Sequence, residues 1–572
     1  MSKNAEIAQI FEQMAGMLGI LDENPFKIRA YKKAALNILE LDENIEDRVE
    51  KDDVTDIPGV GKDLASKVKE YVETGDIEEF EKLQEIVPLE MTELLGILGL
   101  GPKTLSLLYR ELDVRSLEDL EKVLDGEEVL KFKGLGQKKV DEIKKGIPLL
   151  KEKRERTHLG VALPLAEEIK KQVESIKGTE GTIIAGSLRR MRETIKDIDI
   201  LTISDDTEKT VKEFTKMPFV KEVLASGSTK GSVITKDGMQ VDLRVVGPES
   251  YGGALLYFSG SKAHNVRLRG MAQKNGLRIN EYGIFKGEKK LAGETEKEMY
   301  ENLGLPLISP ELREDRGEIE AAVEGKLPHL IELSDIKGDL HMHTTWSDGK
   351  ASIEDMAKSA MELGYEYIAI TDHSPSSTIA NGLSVERLKD KKKELNSVNK
   401  KIKVINILMG SEVDIKNDGS LDYPDEVLKK LDVVIASVHS GFKMDRETIT
   451  KRIVKALENP YVHAIGHPTG RLINEREPYD VDIDRLIETA LKYDKALEVN
   501  SSYLRLDLKD LHVKKAVEAG VKIIISTDAH RPEGLLQMRY GVGTARRGWV
   551  QKKDVLNALE FGELNEWLKS KK

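Results

Sequence analysis

"KGDLHMHTTWSDG", residues 337–349, sets His341 and His343 one residue apart and brings Asp348 just before a glycine turn. Two imidazoles and a carboxylate so close in sequence read as the start of a metal site. After it, apolar runs alternate with amphipathic segments: "YEYIAITDH" (365–373), "INILMGSEVDI" (405–415), "LDVVIASVHSG" (431–441), "VHAIGHPTG" (462–470), "KALEVNSS" (495–502) and "VKIIISTDAH" (521–530). That alternation predicts parallel strands joined by crossover helices, as in a β/α barrel. Ligand-type residues fall at or just past the ends of these runs: His341, His343, Asp348, His373, Glu412, His439, His467, Asp528 and His530. In a barrel the C-terminal strand ends share one face, so these side chains are expected to converge. Nitrogen and oxygen ligands in that number suit two or three divalent ions, with zinc, manganese and iron all open. Asp372, Asn500 and Ser526 are expected to support the ligands or the fold, and His463 stands as an alternative ligand beside His467.

Composition narrows what surrounds this region. A chain of 572 residues exceeds one core, and two to four domains are expected. It has no cysteine, which excludes disulfides and cysteine-bound zinc. No secretory leader and no apolar run near the roughly 18 residues of a membrane span is visible, so a soluble, cytoplasmic protein is expected. A net charge of −12 argues against a protein that simply coats nucleic acid. The locally basic stretches "KFKGLGQKKVDEIKKGI" (131–147) and "KEKRERTH" (151–158) read, on charge alone, as solvated helix faces.

The first 150 residues read as short helices around a recurring turn: "DIPGVGKDLASKVKEYV" from Asp56, "GILGLGPKTLSLLYREL" from Gly96 and "KFKGLGQKKVDEIKKGI" from Lys131. Each carries a Gly-apolar-Gly turn, then a lysine within two residues, then helical periodicity. Glycine permits the tight turn, and the helix N-terminus that follows offers N–H groups to a phosphate. Three copies in one α-helical region resemble helix-hairpin-helix elements, which grip DNA backbones without reading sequence.

From about Gly181 the pattern changes to short β-type runs, as in an α+β domain. "GSLRRMRETIKDIDILTI" (186–203) places Asp197 and Asp199 on one side of a strand. Asp242, in "VDLRVV", is expected from a neighbouring strand. Three such carboxylates suit two Mg²⁺ ions, the common arrangement for phosphoryl transfer. Ser187 and Arg190, in the preceding turn, are placed to bind triphosphate oxygens.

The GS-x-RR turn, the DxD pair, "VDLRVV", "ALLYFSGSKAHNVRLR" and "INEYGIF" occur in that order and resemble a family X DNA polymerase, the group that includes DNA polymerase β. The likeness covers about residues 1–320. It implies Asp197, Asp199 and Asp242 as catalytic ligands of Mg²⁺ or Mn²⁺, with Ser187 and Arg190 on the nucleotide's phosphates. It implies Tyr257, Phe258 and Gly260 along the sugar, Asn265 facing the base, and Arg244 with Glu281 switching open and closed forms. Lys196, Ile195 and Lys262 depart from the family pattern, where a glycine, a small polar residue and an acid are usual. The first hairpin resembles the family's lyase subdomain. Lys67 matches its Schiff-base nucleophile, Asp63 stands where a second lysine is common, and Lys27 and Tyr31 would contact a 5′-phosphate. A monovalent cation at the hairpin turns belongs to the same expectation.

Residues 336–572, with HxH, SDG, TDH, GSE, SVH, GHP and TDAH in order, resemble the PHP domain, a polymerase-associated phosphoesterase with a distorted β/α barrel. The resemblance implies metal-assisted hydrolysis at DNA 3′ ends, with incision at abasic sites left open. The expected organisation is a lyase-like helical domain (1–85), a second helix-hairpin-helix subdomain (86–150), a nucleotidyltransferase palm (151–248), a thumb (249–315), a linker (316–335) and the PHP barrel (336–572). Expected partners are gapped or nicked duplex DNA and deoxynucleotides, acted on by a monomer. The rival readings are a DNA-binding scaffold with one dead site, and a phosphatase barrel unrelated to DNA.

Overall fold

The computed structural model describes residues 3–571 apart from 40, 42, 43, 98, 127, 133 and 155. Leu98 and Lys133, in the second and third glycine turns, therefore lie outside the described residues, as do the side chains of 151–155 in the second basic stretch. The chain divides into two compact units, Met1–Glu155 and Arg156–Lys572.

The first unit is helical. Its three glycine turns close with equivalent bonds: the N–H groups of Val60, Leu100 and Leu135 donate to the carbonyls of Ile57, Ile97 and Phe132 at 2.9, 2.9 and 3.1 Å. Gly59, Gly99 and Gly134 sit at φ of 86°, 86° and 95°, the left-handed region that only glycine enters without strain. Helices Lys62–Thr74, Pro102–Glu111 and Gln137–Arg154 follow them. One apolar core runs from Ile7 to Ile147, across the expected boundary at residue 85.

The second unit begins with a five-stranded sheet in the order Thr179–Ile184, Asp197–Ser204, Gln240–Val246, Lys230–Thr235, Val220–Ser226. Only the Asp197–Ser204 and Gln240–Val246 pair is parallel. Helices Tyr251–Ser259 and Lys262–Lys274 and a three-stranded antiparallel sheet follow. The segment expected as a linker is built into this region: Ile319 and Ala322 join its apolar core. Buried Glu318 meets His264 Nδ1 at 2.6 Å. Its dense charge reads as a solvated connector, but Glu318 is spent on an internal partner.

The rest is a ring of seven parallel strands in sequence order: Gly338–Met342, Tyr367–Ile370, Asn406–Asp414, Val433–Ser437, Ala464–Ile465, Ala496–Asn500 and Ile523–Ser526. The His343 N–H donates to the Ala529 carbonyl at 2.8 Å and the Asp528 N–H to the His341 carbonyl at 2.9 Å, so the last strand returns to the first. The expected barrel is present. Ile473, Leu506 and Tyr540 of the barrel belong to the core beneath the five-stranded sheet. Helix Met538–Arg547 carries Tyr540 into that core, and its Arg546 reaches Glu311 at 2.8 Å.

Candidate active sites

On strand Asp197–Ser204 the carboxylates of Asp197 and Asp199 flank Ile198, which is fully buried on the other face. Parallel register sets Asp242 opposite Asp199. Burial first, and then the charges of Asp197 and Asp242, push Asp199 up to about 7. A divalent cation would relieve that repulsion, so the donor set fits one. Asp242 is engaged meanwhile by Lys230 at 2.7 Å, Ser232 at 2.7 Å and Gln240 at 3.1 Å. The GS turn lies against this group because residue 186 has no side chain: at φ 63° a Cβ there would stand 2.1 Å from Asp199 Oδ2.

Half-buried Ser187 follows in that turn. Arg190 points inward, with Nε 3.0 Å from Glu314 and Nη1 2.9 Å from the Ser259 carbonyl. Arg189 grips Glu296 with two bonds of 2.8 and 2.6 Å. Tyr257 and Phe258 meet edge to face at 5.1 Å, and the Arg244 guanidinium lies 4.9 Å over Phe258. Asn265 Nδ2 donates to the Tyr257 carbonyl at 2.7 Å, while its buried Oδ1 has no partner. Gly260 is required here, since a Cβ would stand 2.5 Å from that oxygen. Glu281 sits in the turn before strand Gly283–Lys286, and Lys262 is exposed at the start of helix Lys262–Lys274.

In the first unit, Lys67 is buried, with Nζ 2.6 Å from Asp63 and 2.9 Å from Glu79. Burial alone would lower it, but the bonds to Asp63 and Glu79 outweigh burial and hold the ammonium above its usual range. Lys27 also pairs with Glu79, at 3.0 Å. Tyr31 is buried nearby, its hydroxyl without a hydrogen-bond partner, and burial pushes it up to about 12.

In the barrel the strand ends bring every expected ligand together. Among the described residues, close sets of ligand atoms form at His343, Asp348, His373 and His530; at His341, His343 and Asp528; and at His373, Glu412 and His439. Glu412 is the hub. Its oxygens lie 3.0 Å from His373 Nδ1, 3.2 Å from His439 Nε2, 2.9 Å from His467 Nε2 and 3.5 Å from His341 Nε2. His341, His343, Glu412 and His467 form a buried floor, and Asp348, His439 and His530 a more open rim. His341 Nε2, both His343 nitrogens, His373 Nδ1 and His467 Nδ1 are buried and make no well-directed hydrogen bond, although carboxylate oxygens of Glu412 and Asp528 stand close to several of them. Such orphaned imidazole nitrogens facing carboxylates fit divalent cations. Burial, then His530 and His373, lower His343 to about 4 and keep it neutral, the form a ligand needs. His467 and Asp528 hold left-handed φ values of 27° and 56°, backbone strain of the kind found at functional sites.

Three supporting residues escape the motif reading. Glu498 takes His341 Nδ1 at 2.7 Å and the His467 N–H at 2.6 Å. Asp414 holds His439 Nδ1 at 2.5 Å. Asp339 accepts the Thr527 N–H at 3.2 Å and the His341 N–H at 3.2 Å. Each lies two residues from a named position, on the same strand face, so strand alternation would have found them. Asp372 accepts from Thr344, Ser347 and Lys391, and Asn500 donates to Asp528 at 3.1 Å, as expected of supports. Ser526 is buried with its hydroxyl unpartnered. His463 does not enter the site: its Nδ1 accepts the Val434 N–H at 3.0 Å and its Nε2 meets the Leu568 carbonyl at 3.2 Å.

Family models match in four places: a helix-hairpin-helix domain over residues 2–77, a SAM-like helix-hairpin-helix tandem over 91–147, the DNA polymerase beta thumb over 254–314 and the PHP domain over 339–502. The chain is 42% identical over 571 residues, 99% of both chains, to the DNA polymerase/3'-5' exonuclease PolX of Bacillus subtilis (strain 168). DNA polymerase lambda of Arabidopsis thaliana is 27% identical over 54% of this chain and 62% of its own. A probable phosphatase of Thermoanaerobacter sp. (strain X514) is 35% identical over 41% of this chain and 95% of its own. Helical hairpins, thumb and barrel thus match in one continuous, full-length alignment, and the chain belongs to the family X DNA polymerases of the PolX type, which end in a PHP domain.

Proposed function

We propose that this chain adds deoxynucleotides to the 3′ end of a primer in gapped or nicked duplex DNA, and removes nucleotides or blocking groups from 3′ ends at its barrel. The observation that carries the reading is that two groups of ligand-type residues share no member: Asp197, Asp199 and Asp242 on paired strands of the sheet, and the barrel histidines and acids gathered around Glu412. Mg²⁺ or Mn²⁺ would be held by the first, and two or three manganese, zinc or iron ions by the second. Bound divalent cations supply charge neutralisation and make a water or hydroxyl acidic enough to act as nucleophile near neutral pH.

The chain's own residues do the rest. Asp199 and Asp242 fix the reacting face of the sheet. Ser187 and Arg190 bind triphosphate oxygens once Arg190 exchanges Glu314 for phosphate, and Tyr257 and Phe258 crowd the sugar edge. In the barrel, Glu498 and Asp414 orient His341 and His439 through Nδ1, leaving Nε2 of each for a cation. The glycine turns, with N–H groups opening each helix, contact the DNA backbone and suit a monovalent cation. The enzyme acts as a cytoplasmic monomer in gap-filling repair. Among the described residues no helix is long and apolar enough to cross a membrane.

A 5′-labelled primer on a one-nucleotide gapped template tests the reading with Mg²⁺ or Mn²⁺, with and without deoxynucleotides. Lengthening with nucleotides and shortening without them is expected; a primer unchanged in both arms would overturn it. A second reading, hydrolysis of free phosphate monoesters, draws on the likeness of the barrel to a probable phosphatase. Turnover of p-nitrophenyl phosphate with none on DNA ends would favour it.

A further inference from the structure

The turn that carries Ser187 and Arg190 is clamped by the barrel. Arg547, at the end of helix Met538–Arg547, donates from Nη1 to the Arg190 carbonyl at 2.7 Å and to Glu314 Oε1 at 2.9 Å. Its Nε and Nη2 donate to Asp510 at 3.0 and 2.8 Å. Glu314 also takes Arg190 Nε at 3.0 Å and lies 3.7 Å from Arg192. The side chains of Arg547, Asp510 and Glu314 are 5%, 7% and 8% exposed, so this is an internal network. Next along the turn, Met191 holds φ 52° and packs on Gly543 of the same barrel helix, where a Cβ would stand 2.5 Å from its Cε. Arg471 of the barrel then takes Glu193 at 2.9 Å.

We infer that Arg547 is a positioning residue for nucleotide addition: it fixes the palm turn through the Arg190 carbonyl and gives Glu314 a permanent partner, so that Arg190 is free to move to an incoming triphosphate. The inference rests on the polymerase reading above. A buried carboxylate held only by a distant cation is costly, so without Arg547 Glu314, left with Arg192 at 3.7 Å, resists the departure of Arg190. With Arg547 in place, Glu314 stays paired when Arg190 leaves. Without Arg547, Glu314 holds Arg190 back and nucleotide binding weakens. The barrel helix thereby forms part of the nucleotide site, although it contributes no group to the chemistry there.

The test is primer extension by the full chain at varied deoxynucleotide concentration. Arg547→Met is expected to raise the nucleotide KM about tenfold, the worth of one charge-assisted bond, with kcat changed by less than about threefold. Arg547→Met with Glu314→Gln removes the charge that traps Arg190 and is expected to bring KM back to within about threefold of the parent. Arg547→Lys, which keeps one cation beside Glu314, is expected to fall between the parent and Arg547→Met. Trimming of 3′ ends at the barrel is expected to stay at the parent rate in all three, which reports a folded barrel. An unchanged KM in Arg547→Met, a double variant no better than the single, or a fall in kcat alone would overturn the inference. Should Arg547→Met fail to fold, a parent-like KM in Arg547→Lys would overturn it equally. Absence of extension by the parent chain would instead overturn the polymerase reading itself.

Discussion

Glu498 is bonded to two ligands of the barrel at once, His341 through its ring and His467 through its backbone. Removing it frees one imidazole to rotate and one strained backbone to relax. Glu498→Ala is expected to lower bound metal and 3′ trimming by about 10- to 100-fold, the usual cost of losing a group that orients a ligand. Elemental analysis and trimming assays check this, with primer extension unchanged; full metal content in the variant would count against it. At this scale the gathering of the nine candidate ligands was legible because each sits at or just past the end of an apolar run. Glu498 and Asp414 were not singled out because their motifs end on a more familiar residue. Lys230, which holds Asp242, gave no signal at all, since only strand pairing brings it there. Lys67 shows the reverse, a motif match whose surroundings oppose the chemistry. A Schiff base needs a free amine, and Asp63 with Glu79 keeps this one protonated. The free amine appears only as pH rises toward the raised pKa, so near-neutral pH is expected to give no Lys67-dependent borohydride-trapped adduct with abasic DNA. An adduct that Lys67→Ala abolishes would overturn that.

The helical hairpins were legible as elements because their turns are set by backbone conformation, which glycine advertises directly. The two glycines of a turn have different jobs. Gly134 holds φ 95° with nothing within 4 Å of an added Cβ, so its need for glycine is conformational. Gly136 has an ordinary φ and equally open space, so an alanine there meets only what approaches from outside. Gly134→Ala is expected to cost about 1–2 kcal/mol of stability in the helical unit by forcing a left-handed alanine. Gly136→Ala is expected to leave stability within about 0.5 kcal/mol yet weaken duplex binding, because its methyl stands where a phosphate reaches the N–H groups. Denaturant unfolding and fluorescence anisotropy separate the two; equal effects of both variants on both measurements would refute this division. The helix Glu318–Val323 was illegible for the opposite reason. Its acids resemble a solvated tether, and only the tertiary partner of Glu318, His264, shows that one of them is internal.

At the scale of the molecule, two active sites with separate ligands do not make two separable enzymes. Ile473, Leu506 and Tyr540 of the barrel complete the core under the sheet that carries Asp197 and Asp199. Each such side chain contributes roughly 1.5–3 kcal/mol when buried, and together they approach the 5–15 kcal/mol that holds a typical domain folded. Arg471 on Glu193 and Arg539 on Glu167 would be lost with them. Silencing the barrel and deleting it should therefore give different enzymes. His341→Ala with His343→Ala in the full chain removes ligands from the barrel floor and leaves this interface untouched, so trimming is expected to stop while extension persists within about threefold. A chain ending at residue 335 keeps every palm ligand but exposes the underside of the sheet. It is expected to lose at least about tenfold in extension and to unfold at lower temperature, since each 1.4 kcal/mol shifts an equilibrium tenfold. Primer extension and thermal melting of the two proteins side by side decide the matter. Parent-like extension by the shortened chain would mean that the sheet is self-sufficient and that the shared core adds nothing to nucleotide transfer.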